Sequence, residues 1–237
     1  MSNSQRVAII TGASQGIGEG LVKAYRKLGY AVVANSRTIA ESDDPMVVTV
    51  PGDIGQPGVG KRIADAAMQN FGRVDTVVNN AGIFIPKPFT EYTDDDYDAI
   101  MGVNLRGFFE VSRAAVAAML TREGGGHIVN VSTSRVDHAN SQVPSALASL
   151  TKGGLNAVTK SLAIEYAGRG IRANTVALGV IRTPMHDPSS HEALAKLHPV
   201  GRLGEIDDVV DAVLYLENAS FVTGEILHVD GGQSAGH

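Results

Sequence analysis

At 237 residues the chain is long enough to bury a substantial core, and its 43% hydrophobic and 19% charged content suits a folded globular protein. A formal net charge of −5 argues against nucleic acid or an anionic membrane as the main partner, and the lack of cysteine excludes disulfides, thiolate nucleophiles and cysteine-held metals. No apolar run approaches the roughly 18 residues that cross a bilayer. The N-terminus enters an apolar strand without a signal-peptide core, so the expected compartment is the cytoplasm.

The first β-branched run is 6–10 (RVAII). Ile17, Leu21, Tyr25 and Leu28 follow at helical spacing, with Gly29 as a C-terminal cap. Strands are expected at 31–35 (AVVAN) and 46–50 (MVVTV), and the eight residues between Arg37 and Met46 are too few for a helix. After Pro57, Val59, Ile63, Ala67 and Phe71 mark a helix closed by Gly72. A strand at 74–79 (VDTVVN) precedes Thr93 and Asp96, a capping box that opens a helix towards Asn104. The remaining strands are 127–132 (HIVNVS), 171–177 (IRANTVA) and 225–229 (EILHV). All are continuously apolar, as strands buried on both faces should be. Their alternation with helices predicts an α/β fold, a seven-stranded parallel sheet with helices on both faces. No linker, repeat or low-complexity segment interrupts it, so residues 1–237 read as one domain.

Ligands of such sheets sit beyond the carboxyl ends of the strands. The first strand-to-helix turn reads TGASQGIG, residues 11–18. Gly12, Gly16 and Gly18 permit a tight turn that lets backbone N–H groups approach a pyrophosphate at the helix N-terminus. A glycine trio alone also occurs in turns that bind nothing, but this one stands directly between strand and helix.

TGASQGIG, NNAG (79–82), Asn104, TKGGLNAVTKSLAIEYAGRGIRANTVALGVIRTPM (151–185) and GEILHVDGG (224–232) together resemble the short-chain dehydrogenase/reductase family, in that family's own order. The resemblance implies a doubly wound, Rossmann-like sheet and a nicotinamide dinucleotide held across it. Residues 12–18, including Ser14, Gln15 and Ile17 with the three glycines, would take the pyrophosphate. Asp53, beside Ile54 after strand three, would face the adenine. Asn79, Ala81 and Gly82 would border the nicotinamide ribose, and Thr183 would reach the carboxamide. Each has a quieter alternative: Asp53 as a helix N-cap near Gly55, Asn79 and Asn80 as partners of strand-end backbone, Thr183 as the start of a turn before Pro184.

An acidic side chain after strand two would bind the ribose of NAD and repel the phosphate of NADP. Here the segment is ANSRT, with Ser36 and Arg37 and no acid until Glu41. Arg37 offers a permanently charged fork, so NADP(H) is preferred over NAD(H), although it also fits a solvated surface arginine and Gln15 is not basic.

Family members pair a tyrosine with a lysine four residues later on one helix, beside a serine and an asparagine. That spacing stacks the ammonium on the phenol. The ammonium lowers a phenol pKa of about 10 and makes it a workable proton donor. Lys152 matches the lysine and Asn104 the asparagine, with Thr133 at the serine position. Where the tyrosine belongs stands Ala148, which has no proton to give. Thr133 and Ala148 are 15 residues apart, a longer loop than the family's, and it brings His138 near. Leu178 replaces the family proline before Gly179, and His186, His191 and His198 lack a carboxylate at metal-ligand spacing, so no metal is expected.

Two readings follow. One is an oxidoreductase acting on a small carbonyl or alcohol with an atypical acid, either a water held by Lys152 and Asn104 or His138. The other is a catalytically weak or inactive dinucleotide-binding protein, a sensor or partner subunit. Relatives pair the helices at 104–121 and 145–168, so a homo-oligomer, dimer or tetramer, is expected; Ala114, Ala117, Gly153, Gly154 and Ala157 would allow close approach.

Overall fold

The apolar runs become seven parallel strands: β1 Val7–Thr11, β2 Ala31–Ser36, β3 Val47–Pro51, β4 Thr76–Asn79, β5 Gly126–Thr133, β6 Ile171–Leu178 and β7 Ile226–Val229. The computed structural model describes residues 5–236. The strand order is β3-β2-β1-β4-β5-β6-β7, so the chain reverses direction across the sheet between β1 and β4. Crevices at such a reversal hold ligands in doubly wound sheets. As the short spacing demands, no helix joins β2 to β3.

Two apolar layers pin the helices. On one face α2 (Val59–Phe71), α4 (Phe108–Met119) and α5 (Ala146–Tyr166) bury Ile63, Val111, Ala115 and Ala163 against Ile9, Val33 and Ile128. On the other, α1 (Gly16–Lys27) and α7 (Ile206–Asn218) bury Leu21, Tyr25, Val209 and Val213 against Ile10 and Val32. The Thr93–Asp96 capping box forms and opens α3 (Asp94–Met101). Between α3 and α4 the helix continues as a π-helical stretch, Gly102–Gly107. A short α6 (His191–Ala195) interrupts the segment after β6.

Away from this crevice, the Glu217 carboxylate, 6% exposed, gathers four donors. These are Tyr25 Oη (3.1 Å), Tyr30 Oη (2.6 Å), Thr76 Oγ1 (2.9 Å) and His127 Nδ1 (2.8 Å). The Asn174 amide orientation is fixed, because Oδ1 accepts from Glu225 N (3.1 Å) while Nδ2 donates to Val222 O (3.0 Å). His127 Nε2, 3.0 Å from Asn174 Nδ2, therefore accepts, and the ring proton sits on Nδ1. Arg172 donates to the carbonyls of Leu216, Glu217, Ala219 and Val222 and closes the C-terminal end of α7.

Candidate functional site

The glycine turn leaves no room for side chains. Gly12 and Gly16 have φ of +67° and +58°, a region that favours glycine. A carbon added at Gly18 would lie 2.1 Å from Gly12 O, and one at Gly12 2.8 Å from Asn80 Nδ2. Gln15 is the N-cap of α1 without a side-chain cap bond, so the first-turn N–H groups keep their capacity for an anion. Ile17 packs against the inner layer and orients the helix. Across the crevice, the Cβ position of Gly16 is 3.5 Å from the Thr183 side chain, so the RTPM segment faces the turn.

At the end of β2, Ser14 Oγ and Ser36 Oγ are bonded at 2.8 Å, which ties the turn to the strand beside the exposed Arg37. Asp53 Oδ1 accepts from Gly55 N (2.9 Å), while the N-cap of α2 is Gly58. The cap alternative for Asp53 therefore fails for α2, and the carboxylate closes a local turn beyond β3. Ile54, 6% exposed, fills the space beneath Gly107.

The NNAG segment divides its labour. Asn80 Nδ2 donates to Thr11 O (2.9 Å) and Gly12 O (3.2 Å), locking β4 to the glycine turn. Thr11 Oγ1 accepts from the N–H groups of Asn80 and Ala81 (3.1 and 3.0 Å). Asn79 Nδ2 donates to Ser112 Oγ and Asn130 Oδ1, both at 2.9 Å, and its buried Oδ1 has no partner among the described residues. Asn80 thus bonds backbone groups at the strand end, as its quieter alternative has it, whereas Asn79 bonds the side chains of Ser112 and Asn130 instead.

Lys152 and Asn104 converge on Gly82. A Cβ there would lie 3.1 Å from Lys152 Nζ and 3.4 Å from Asn104 Oδ1. Asn104, 2% exposed, sits within the π-helical stretch; its Oδ1 accepts from Ile83 N (2.9 Å) and its Nδ2 donates to Ile83 O (3.1 Å) and Thr151 Oγ1 (3.2 Å). Lys152 Nζ donates to Val131 O at 2.7 Å, and desolvation brings its pKa down to about 8. Thr133 ends β5; its Oγ1 donates to Leu178 O (3.3 Å) and accepts from Arg135 N (3.3 Å). Ala148 is 1% exposed, so the place of a phenol has been enclosed.

Among the described residues no other tyrosine takes that place. Tyr25 and Tyr30 bond Glu217, and Tyr92 Oη donates to Ile85 O at 2.8 Å. His138 follows the 3₁₀ turn Ser134–Val136, its N–H bonded to Ser134 O at 2.9 Å. Of His186, His191 and His198, His191 Nδ1 lies 2.9 Å from Arg182 Nη1, and His198 Nε2 accepts from Val180 N at 2.9 Å. His186 N–H bonds Thr183 O at 3.1 Å.

The residues present fit a dinucleotide: a glycine cradle that any Cβ would fill, an uncapped helix start, and an ammonium beside Gly82. The chain matches the family model described as enoyl-(acyl carrier protein) reductase over residues 12–234. It is 38% identical to L-xylulose reductase of Bos taurus, covering 96% of both chains. Among solved structures, ElxO with NADP bound superposes with a TM-score of 0.89 at 27% identity, covering 98% of this chain and 100% of that one. The 3-ketoacyl-(acyl-carrier-protein) reductase from Brucella melitensis complexed with NADH gives 0.86 at 33% identity, covering 97% and 98%. With a matching family model over nearly its whole length and a sheet built as that family builds it, the chain belongs to the short-chain dehydrogenase/reductase family and is an oxidoreductase of it.

Proposed function

We propose that this oxidoreductase reduces a small carbonyl substrate, or oxidises the matching alcohol, with NADP(H) preferred over NAD(H) and with a proton donor other than a phenol. The observation that carries the reading is the convergence of Lys152 and Asn104 on Gly82, beside a turn only glycine can close. Residues 12–18, Ser36 and Arg37 would hold the phosphates, Asp53 and Ile54 the adenine side, and Asn79, Ala81, Gly82, Lys152 and Thr183 the nicotinamide side. Bound there, the nicotinamide supplies hydride exchange with the carbonyl carbon.

The chain's own task is to orient the carbonyl and bring a proton to its oxygen. Thr133 Oγ1, at the end of β5, would orient it by turning its proton from Leu178 O to the carbonyl oxygen. Ala148 offers nothing, so the proton arrives through a water held by the Lys152 ammonium and the distorted helix at Asn104. An ammonium has three donors, and only one is engaged with Val131. Ser36, Arg37 and the absence of an acid after β2 support the NADP preference. The exposed Phe109 of α4 with Leu150 and Ile164 of α5 support a homo-oligomer, a dimer or tetramer, measurable by light scattering. We place the protein in the cytoplasm as one domain.

Fluorescence titration with NADPH and NADH, followed by turnover on a carbonyl panel, tests this. Tighter NADPH binding with turnover that survives His138→Ala is expected. The enclosed Ala148 favours a second reading, a dinucleotide-binding protein with little catalysis. Saturating NADPH binding without hydride transfer to any carbonyl would select it.

A further inference from the structure

Arg135 is the odd charge of this molecule. It is 8% exposed, its Nη1 is buried, and that atom has no hydrogen-bond partner among the described residues. Burying a guanidinium is costly unless an acceptor replaces its water, and an unpaired buried donor carries the full desolvation cost. Desolvation lowers its pKa, and no carboxylate among the described residues bonds its Nη1.

The position of this arginine gives the burial a meaning. It sits two residues beyond Thr133, on the 3₁₀ turn Ser134–Val136 that β5 throws over the carboxyl end of the sheet. The turn is held rigidly: Ser134 Oγ, fully buried, lies 3.2 Å from Leu178 O and 2.9 Å from Gln233 Oε1, and Arg135 N donates to Thr133 Oγ1 at 3.3 Å. Burial holds His198 neutral, and the charge of Arg135 is close enough to add to that effect. His198 packs over Gly179, where a Cβ would come within 2.7 Å of its Nε2. Arg135 thus stands just past the end of β5, two residues from Thr133 and close to His198 of the segment after β6.

We propose that Arg135 binds a carboxylate carried by the substrate, so that the enzyme acts on a small oxo acid or the corresponding hydroxy acid; this rests on the carbonyl-reductase reading. A planar fork suits a carboxylate bidentately. A phosphate dianion would need a second cation, and Arg202 is already paired with Asp208. The candidate internal acid, Asp230, is taken by the N–H groups of Gly232 and Ser234 (3.0 and 2.8 Å).

The test compares 2-, 3- and 4-oxo acids of three to six carbons with their methyl esters. At least one acid is expected to exceed its ester in kcat/KM by about tenfold or more, as a charge-assisted hydrogen bond supports. Arg135→Met should raise KM for that acid by about tenfold or more, leave the ester within about twofold, and leave NADPH affinity unchanged. Arg135→Lys should retain part of the preference. Thermal shift of the NADPH complex with the same acids reads binding without turnover. Carboxylate binding that Arg135→Met removes, in an enzyme with no turnover, would sink the reductase reading and keep the anchor. Turnover with acids and esters treated alike, or an acid preference that Arg135→Met leaves intact, would overturn the anchor and keep the reductase.

Discussion

Lys152 and Val131 are bonded side chain to backbone, Nζ to O at 2.7 Å, across the gap between α5 and β5. The strand therefore fixes the ammonium without help from residue 148. That is how the lysine keeps its place with an alanine four residues before it.

The first expectation concerns pH. Burial lowers the Lys152 pKa to about 8 from an unfolded value near 10.4, so the native protein releases this proton first. The positive charge that would hold the cofactor is present below about pH 8 and lost above it. NADPH affinity should fall as pH rises through 8, and Lys152→Met should weaken binding at pH 7 and remove that dependence. Fluorescence titration across pH 6–9.5 reads both.

Ala148→Tyr should restore a phenol one helical turn before Lys152. A general acid is worth about a hundred- to ten-thousand-fold in rate, so carbonyl reduction should rise visibly. Because Ala148 is 1% exposed, the added ring must push neighbours aside, at about 1–3 kcal/mol of stability. Steady-state kinetics and a thermal melt on the same variant should show a faster, less stable enzyme.

Arg37→Ala should cut NADPH affinity by about tenfold or more, the worth of a charge-assisted bond to phosphate, and leave NADH nearly unchanged. Parallel titrations decide it. Equal losses for both cofactors would mean that Arg37 does not read the phosphate.

Glu217 gives an acid-stability expectation. Burial pushes its pKa up, but His127, Tyr30 and Thr76 outweigh burial and bring it to about 2. His127 is lowered, first by burial, and is neutral. For both groups the unfolded chain binds protons at higher pH than the folded one, so both stabilise at neutral pH and lose that contribution on acidification. The loss begins below about pH 6.5 with His127 and continues below about pH 4.3 with Glu217. Glu217→Ala strands four buried donors and should cost about 3–5 kcal/mol at pH 7. Urea midpoints from pH 2 to 4.5 should flatten in that variant.

Much of the fold was legible because buried parallel strands are continuously apolar and helices announce their caps; even the missing helix between β2 and β3 followed from eight residues. The glycine turn and the Lys152–Ala148 spacing were readable because their chemistry lies along one chain segment. The strand-end role of Asn80 was readable too, but its partners Thr11 and Gly12, the Val131 anchor and the Glu217 cluster were not, since each joins residues far apart in sequence. Arg135 was hidden for another reason: nothing in STSRVD marks a buried charge, and only the fold shows that it is one.

The π-helical stretch at Gly102–Gly107 sets a limit on length as well as on identity. A π turn holds one residue more than the α turn it replaces, and each residue turns a helix by about 100°. Deleting a single residue there would let one continuous α-helix run from the Thr93 cap to Met119, but with its two halves rotated against each other. Ile100 and Val111, both fully buried, could not then face the core together, and Asn104 would swing away from Ile83 and Thr151. The extra residue is what allows one helix to serve a core on both flanks and a reactive site in its middle.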